Sequence, residues 1–189
     1  LSFDSDGFTV GSGNDWNNSG ETFVAWAWDA GSGSAASNTD GSITSTVKAN
    51  DTYGFSIVSY TGNGTSGATI GHGLSSAPDM LIVKNRSGAY HWIVQHSSLG
   101  ATKYLTLSTT DAEATSSAPW NNTAPTSSVF SLGSSSLSNR NANSFIAYCF
   151  HSVAGYSKFG SYTGTGSAGF SVTTGFRPAF VTGLYQHPT

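Results

Sequence analysis

The chain repeats parts of itself, and this internal repeat constrains its fold more than any other feature of the sequence. The organising stretch runs from Gly54 to Arg86, and its motif YTGNG at 60–64 returns as YTGTG at 162–166, which lies 102 residues later. Gly73 has a counterpart in Gly175 at the same spacing. Because matching segments tend to form matching supersecondary structures, the two stretches are predicted to share one local structure.

A second pair of matching segments lies 122 residues apart and aligns without a gap. It places Phe8 on Phe130, and it aligns the run from Glu21 to Trp28 with the run from Ser144 to Phe150. Both runs are apolar at successive positions, which is typical of a central strand covered on both faces. The second run should direct one triplet of side chains to each face, namely Phe145, Ala147 and Cys149 to one and Ile146, Tyr148 and Phe150 to the other.

Strand candidates recur along the chain with turn residues between them, whereas no window shows the sustained 3.6-residue period of an amphipathic helix. This pattern predicts an all-β fold, an antiparallel β-sandwich of jelly-roll or lectin-like type with tandem-repeat character. The remaining candidates are Gly7 to Gly11, Phe55 to Thr61, Ala68 to Ile70, Met80 to Lys84, Tyr90 to Gln95, Lys103 to Ser108 and Val129 to Gly133, with a weaker one from Ser42 to Lys48.

The repeat also predicts the domain organisation. Residues 54–154 contain each matching block once and are predicted to form a complete sandwich unit. Residues 1–31 resemble the closing strands of a preceding unit, and residues 155–189 resemble the opening strands of a following one. Residues 32–53 are rich in Gly, Ser and Thr and are interpreted as a linker. Since isolated strand pairs are marginal in water, the two ends are expected to need partners.

Composition narrows the classes of partner. Charged residues make up 9% of the chain and the net charge is −3, which gives no electrostatic footprint for nucleic acid or an anionic membrane. No apolar run approaches the length of a spanning helix. The single cysteine, Cys149, lies in an apolar run and is expected to be a buried thiol. The chain opens with Leu1 and has no signal-like start, so we expect a processed or excised portion of something longer.

Motifs that suggest chemistry are weak in this chain. The pattern G-x-G-x-x-G occurs at 62–67 and 164–169, but β-prone residues follow both, so turns are favoured over a dinucleotide site. Asp4-x-Asp6-Gly7 lacks the later ligands of a calcium loop. The scattered histidines show no zinc spacing. We therefore expect no catalytic residues, no cofactor and no metal, and an enzyme is disfavoured. The histidines are His72, His91, His96, His151 and His187.

Two triplets stand out as candidate carbohydrate contacts, since each places an indole beside two amides in a polar loop. They are Trp16, Asn17 and Asn18, and Trp120, Asn121 and Asn122. An aromatic face with amide donors and acceptors suits a sugar ring. The alternative, which we favour, is that each tryptophan folds back as a plug over an end of the sandwich.

Several stretches carry a resemblance to a known family: GETFVAWAW, GHGLSSAPDMLIVKNRS, HSSLGATKYL, WNNTAPTSSVFSLG and GYSKFGSYTG. They resemble a repeated β module of bacteriophage virion proteins from marine phages, of tail or fibre type, which is similar to concanavalin A-like lectin sandwiches. The resemblance covers nearly the whole chain and implies an extracellular or virion location. It carries over no catalytic residues. This chain departs from the pattern by holding one complete unit and two partial ones.

The sequence therefore predicts a non-catalytic structural module that assembles by β-strand complementation between subunits. Expected partners are further copies of the chain in an oligomer or filament, or other virion proteins. The alternative is a carbohydrate-binding receptor or adhesion module that binds a host-surface glycan. The predicted assembly interface consists of apolar residues in the two partial units: Phe8, Phe23, Trp26, Trp28, Phe159, Tyr162, Phe176 and Phe180.

Overall fold

The computed structural model describes residues 2–184, and it is an all-β sandwich with short helical turns. The helices are single turns, α1 at Asn14–Asn17 and α2 at Ser117–Trp120, and 3-10 turns lie at Asp51–Tyr53 and Ser97–Leu99. The strands in chain order are β1 Ser2–Phe3, β2 Phe8–Thr9, β3 Ala36–Asn38, β4 Ser45–Asn50, β5 Phe55–Thr61, β6 Ala68–Gly71, β7 Met80–Asn85, β8 Trp92–His96, β9 Lys103–Thr106, β10 Ala114–Thr115, β11 Val129–Leu132 and β12 Ser144–Phe150.

The larger layer is an eight-stranded antiparallel sheet in the order β10-β9-β8-β7-β12-β5-β4-β3. Its central strand is β12, which pairs along its length with β5 on one side and β7 on the other. Phe145 lies opposite Tyr60 of β5 and opposite Asn85 of β7. Sequence pattern alone predicted a central strand here, and that prediction is confirmed.

The smaller layer is the antiparallel pair β6 and β11, in which Phe130 lies opposite Ile70. A bridge from Ile43 to Ile70 and the turn α2 extend this layer. Apolar side chains from both layers form one core, consisting of Val47, Val58, Tyr60, Ile70, Leu74, Leu81, Val83, Ile93, Trp120, Phe130, Leu132, Phe145, Ala147 and Cys149.

The predicted division of β12 into two faces is also confirmed. Phe145, Ala147 and Cys149 point into the core and have no exposed surface. Ile146 and Tyr148 lie on the opposite face and are half-buried. That outer face carries an apolar row running across neighbouring strands, namely Val94, Ile82, Tyr148 and Ile57.

Three stretches differ from the sequence predictions. Residues 21–28, predicted to be a strand, have no regular structure and are exposed. Residues 155–184, predicted to open a further unit, likewise contain no strand. Residues 32–53, interpreted as a linker, contribute β3 and β4 to the large sheet, where Val47 of β4 lies opposite Val58 of β5. The sandwich therefore begins near Ala36, earlier than predicted.

The glycine motif at 62–67 connects β5 to β6, so the turn interpretation holds and no helix follows it. Gly62 passes so close to the backbone that a Cβ atom there would lie 2.5 Å from the Arg140 carbonyl oxygen. Gly64 and Gly67 have φ angles of 71° and 86°, in the left-handed region that favours glycine. Asp4 and Gly7 likewise form the tight turn between β1 and β2, in which the Asp4 amide donates to the Gly7 carbonyl at 3.0 Å.

Candidate functional site

Trp120, one of the two candidate sugar contacts, lies wholly inside the sandwich. It is the last residue of α2. The N-cap of this helix is Ser116, whose side-chain oxygen accepts a hydrogen bond from the Ala118 amide at 3.1 Å. The Trp120 ring has no exposed surface and belongs to the core. A buried ring offers no face to a ligand, so the prediction of a sugar contact is wrong for Trp120. The favoured alternative, a plug at the end of the sandwich, describes this residue.

The neighbouring amides of that triplet shape the loop. Asn121 and Asn122 adopt left-handed backbone conformations with φ angles of 54° and 51°, which asparagine tolerates better than most residues. The Asn121 side-chain oxygen accepts a hydrogen bond from the Ser66 hydroxyl at 2.9 Å and so ties α2 to the β5–β6 connection. Asn122 is exposed. Asn121 therefore stabilises the turn at the end of α2.

Trp16 has the opposite environment. It lies in α1, outside the sandwich, and its side chain is 69% exposed. The Asn17 side chain donates to the Gly11 carbonyl at 3.1 Å, which holds the turn against the preceding strand, while Asn18 is exposed. The ring borders a shallow depression that also includes Val10 and Gly13. Since Trp120 is buried, the two triplets do not form a common binding surface.

The largest unburied aromatic surface lies in two terminal stretches, which we name the head segment (residues 2–28) and the tail segment (residues 155–184). Both are attached to a sandwich that is complete without them. Phe159 and Phe176 of the predicted interface are half-buried. The other predicted interface residues are all at least 45% exposed, namely Phe8, Phe23, Trp26, Trp28, Tyr162 and Phe180. Exposed apolar groups of this extent mark interaction sites.

A cluster of four rings, which we name the ring cluster, anchors both segments to the outer face of the large sheet. At its centre Phe55 and Phe150 face each other across neighbouring strands, with ring centroids 4.8 Å apart. Trp28 of the head segment lies 6.1 Å from Phe150, and Phe159 of the tail segment lies 5.6 Å from the same ring. The two segments therefore leave the sandwich from one place.

Sequence reasoning named Trp28 and Phe159 but missed Phe55 and Phe150 as their docking partners. The signal was present, because Phe55 and Ile57 are apolar on the face of β5 opposite to Val58. A strand that is apolar on both faces needs cover on both. Beyond the ring cluster, the two segments approach each other where the Trp26 and Phe180 rings lie 6.0 Å apart.

Comparison with known proteins gives one positive result. Residues 1–183 match the family described as Domain of unknown function (DUF7483). The chain belongs to this family. No curated protein and no solved structure matches the chain. The matched range covers the sandwich, the head segment and all but the last residue of the tail segment. The DUF7483 domain therefore consists of the sandwich together with these two segments.

The carboxylates of this DUF7483 domain that lie near histidine or serine make structural hydrogen bonds. Asp79 accepts from the Ser152 amide at 2.7 Å and from its hydroxyl at 2.8 Å. Asp51 accepts from the Ser75 amide and hydroxyl at 2.8 Å and 2.6 Å, and these bonds, together with His151, hold the pKa of Asp51 below its usual value. In both groups the serine bonds the carboxylate directly, so no histidine lies between them as a general base would.

The buried histidine and cysteine are also accounted for by packing. The His72 Nδ1 atom accepts from the Leu74 amide at 3.2 Å while Nε2 lies 3.1 Å from the Thr126 carbonyl, which defines a neutral ring, and burial lowers its pKa. Burial raises the pKa of Cys149 to about 12, which makes it an unreactive thiol. Within residues 2–184, no three His, Cys, Asp or Glu side chains are placed to hold a metal ion. His187 lies outside the described residues.

One cleft of about 190 Å³ opens at the end of the sandwich, between the β7 and β8 ends and the loop before β11. Asp79, Gln95 and Pro125 are among the residues that line it. Gln95 is only 4% exposed, and its Oε1 atom accepts no hydrogen bond from the described residues. The surface of the cleft is mostly apolar, and its lining also includes His96 and Ser97. The helices of residues 2–184 are too short to cross a membrane.

Proposed function

We propose that this DUF7483 domain is a non-catalytic structural module of a virion appendage or an extracellular fibre, and that its subunits assemble through their terminal segments. The observation that carries the proposal is the exposure of aromatic side chains in the head and tail segments. Their sequences match strands that are buried in the sandwich, yet their own aromatic side chains are largely exposed. Burial of such a surface against another surface is favourable, and large exposed apolar patches mark interaction sites.

The chemistry of the segments favours protein as the partner. The described exposed groups of the two segments include many large apolar side chains, and the chain as a whole has a net charge of −3. The charged residues of the segments are Asp4, Asp6, Asp15 and Glu21 in the head segment and Lys158 and Arg177 in the tail segment. Such a surface gains free energy by burying apolar area, at about 25 cal/mol per Å². It offers no basic patch for a phosphate backbone or an anionic membrane. Addition of strands to an incomplete sheet is an established way to join protein subunits.

The experiment is sedimentation of the full chain over a range of concentrations, beside a variant that lacks residues 1–31. The intact chain should form multimers in a head-to-tail series, because each subunit offers two different surfaces. The shortened chain should remain monomeric. A matched control is Trp16→Ala, which removes an exposed ring of the head segment that has no counterpart in the sandwich. It should sediment as the unchanged protein does.

An intact chain that stays monomeric at high concentration would contradict the proposal, as would a shortened chain that still forms the same multimers. Near-UV circular dichroism provides the check on folding. Its signal from the buried rings of the sandwich, such as Trp120 and Tyr60, should be the same in all three proteins.

A second function, binding of a glycan, is supported by Trp16 alone, whose exposed ring lies beside Asn17 and Asn18. If it operates, a glycan array should retain the protein and Trp16→Ala should weaken binding by about 1 kcal/mol or more, the loss expected for an aromatic contact. Trp120→Ala is unsuitable for this test because that ring is part of the core. An array that retains nothing would rule this function out.

A further inference from the structure

We propose that the head segment of one subunit and the tail segment of a second subunit combine into a five-stranded composite unit whose strand order and register are those of the sandwich itself. This inference rests on the proposed assembly function and deepens it by assigning which residues pair. Its basis is the internal repeat combined with the observed pairing of the sandwich strands.

The strands are divided between the two segments in a complementary way. The head segment contains the sequence counterparts of β11 and β12, and the tail segment contains those of β5 and β6 at the 102-residue spacing. Pro178 and the run that begins at Phe180 correspond to Pro78 and the start of β7 at a spacing of 100 residues. In the sandwich, β12 lies between β5 and β7, and β11 pairs with β6. Each counterpart in one segment therefore finds its natural neighbours only in the other segment. No strand is duplicated between the two.

The sandwich register can be transferred to the composite unit residue by residue. The 122-residue spacing converts β11 and β12 positions to the head segment, and the 102-residue spacing converts β5 and β6 positions to the tail segment. The transferred pairs are Phe23 with Tyr162, from Phe145 with Tyr60; Ala25 with Gly160, from Ala147 with Val58; Phe8 with Val172, from Phe130 with Ile70; and Thr9 with Ser171, from Ser131 with Thr69.

The side chains at these positions suit the pairing. In the sandwich the Tyr60 and Phe145 rings stack with centroids 5.1 Å apart and planes 10° apart. Their counterparts are again tyrosine and phenylalanine, at Tyr162 and Phe23. The core position held by Ala147 corresponds to another alanine, Ala25, so the close packing between the layers is kept. Outward positions keep small hydroxyl side chains, as Thr9 and Ser171 show.

The tail segment already has the turns that the composite unit needs. Gly166, Gly169 and Gly175 have φ angles of 70°, 80° and 89°. Their counterparts Gly64, Gly67 and Gly73 have φ angles of 71°, 86° and 72°. Gly62 meets the Arg140 carbonyl, whereas nothing lies within 4 Å of the corresponding position on Gly164. The backbone of the tail segment therefore already has the turn conformations of the sandwich. Within residues 2–184, however, it has no neighbouring strands to pair with.

The partner segment comes from a second subunit because the segments of one chain do not close on each other. They meet at Trp26 and Phe180, yet no ladder pair joins head to tail in residues 2–184. Phe23 and Tyr162 remain 47% and 66% exposed. A tail segment from another subunit can align along the head segment, since in residues 2–184 the tail segment has no ladder and β2 of the head segment pairs with β1 alone, which leaves its second edge open.

The test uses disulfide trapping between two different chains, one carrying Thr9→Cys and the other carrying Ser171→Cys. Both positions are exposed, so the sandwich is unaffected. Directly opposed residues place their Cα atoms within the reach of a disulfide, with the two thiols oxidised as glutathione disulfide is reduced to two glutathiones. The native Cys149 thiol is buried and has a pKa of about 12, so it stays inert.

The matched control replaces Ser171→Cys by Thr173→Cys, which lies on the same face but two residues along the strand. A diagonal pair is about 7–8 Å apart and outside disulfide reach. We expect the Thr9–Ser171 pair to form the linked dimer about tenfold or more faster than the control pair. The readout is the fraction of linked dimer on a non-reducing gel.

The remaining outcomes separate this inference from the proposed function. Multimers by sedimentation with no linked dimer, or with equal linkage of both pairs, would overturn the register while leaving assembly intact. A monomeric chain with no linkage would overturn both. If a single chain carrying both Thr9→Cys and Ser171→Cys closes within itself while the mixed chains stay unlinked, the composite unit forms inside one chain and the second-subunit proposal is wrong.

Discussion

The sandwich and the terminal segments contain matching sequence motifs in opposite environments. Phe145 is fully buried, whereas its counterpart Phe23 is 47% exposed. Tyr60 is 5% exposed, whereas Tyr162, in the matching motif YTGTG, is 66% exposed. The tail segment even repeats the glycine turns of the sandwich. What differs is the presence of neighbouring strands on both sides.

This contrast shows that strand formation here depends on tertiary context. A β-strand gains stability from side chains packed on neighbouring strands and from a second layer, and its intrinsic preference contributes little alone. Turns are local and form in both places. Ladders are non-local. Within residues 2–184 they form between residues 36 and 150 and in the short β1–β2 hairpin, and a single isolated bridge joins Val153 to Ser157. Three pairs of substitutions test the contrast.

The largest effect is expected from truncation of the matched phenylalanines. Phe145→Ala removes a buried ring from the core and should lower the free energy of unfolding by about 3–5 kcal/mol. Phe23→Ala removes a half-exposed ring and should change it by less than about 0.5 kcal/mol in the monomer. Urea denaturation at low protein concentration measures both. Equal losses would show that the head segment is part of the same cooperative core.

A smaller effect is expected from enlargement of the matched alanines. Ala147 has no exposed surface between β5 and β7, so Ala147→Leu should overpack the core and cost about 1–3 kcal/mol. Ala25 is exposed, so Ala25→Leu should leave the melting temperature of the monomer unchanged. An unchanged melting temperature for Ala147→Leu would contradict the assignment of β12 to the centre of the sheet.

The smallest expected effect is a pH dependence of stability, which should also arise from the sandwich alone. Burial lowers the pKa of His72 and of His96 below the ordinary value of 6.5. Protons then bind the unfolded chain more tightly than the folded one, so this contribution to stability is complete above pH 6.5 and is lost as the pH falls below it. Near His72, Asp40 opposes the shift and His151 adds to it.

The free energy of unfolding is measured at several pH values between 5 and 8, and the quantity compared is its slope against pH. His72→Asn should reduce that slope, and the exposed His91→Asn is the matched comparison for removal of a histidine. The described parts of the head and tail segments contain no histidine. A chain lacking residues 1–31 should therefore show the same slope, and a different slope would place a titrating contact in the head segment.

Much of the sandwich was predictable because its strands are locally distinct. Phe55–Thr61, Ala68–Gly71 and Met80–Asn85 alternate or run apolar between turn residues, and their predicted bounds differ from the observed ones by at most one residue. The run at 21–28 was predicted by the same signal and is not a strand. Its apolar pattern is real, but within residues 2–184 no other strand pairs with it.

The strand β3 was not predicted, and β4 was anticipated only by the weak candidate from Ser42 to Lys48 within the predicted linker, because their sequence is polar. Only Val47 supplies an apolar core side chain in β4, while Ser45 is buried by donating its hydroxyl to the Gly71 carbonyl at 3.0 Å. A hydrogen bond to a residue 26 positions away gives no local signal. Such strands near a sheet edge resemble linkers in composition.

The two candidate sugar-binding triplets show the same limit of sequence-based prediction. The exposed Trp16 and the buried Trp120 have the same local sequence, an indole followed by two asparagines. The difference lies in what surrounds them, since α2 packs on β11 in the smaller layer and α1 lies outside the sandwich. The helical turn at Ser116 carried a capping signal, but the depth of the ring in the core depends on contacts distant in sequence.

The ring cluster also has a mechanical meaning. In a polymer of the proposed kind, tension applied to either end of a subunit would pass through Trp28 and Phe159. Both rings pack against Phe150 of the large sheet, and Trp28 also packs against Phe55. Four aromatic side chains in contact offer no ion pair for salt to screen. To bend the joint, water would have to enter between the rings, which costs free energy in proportion to the apolar area wetted. The bending stiffness of this joint should therefore be nearly the same at high and at low ionic strength.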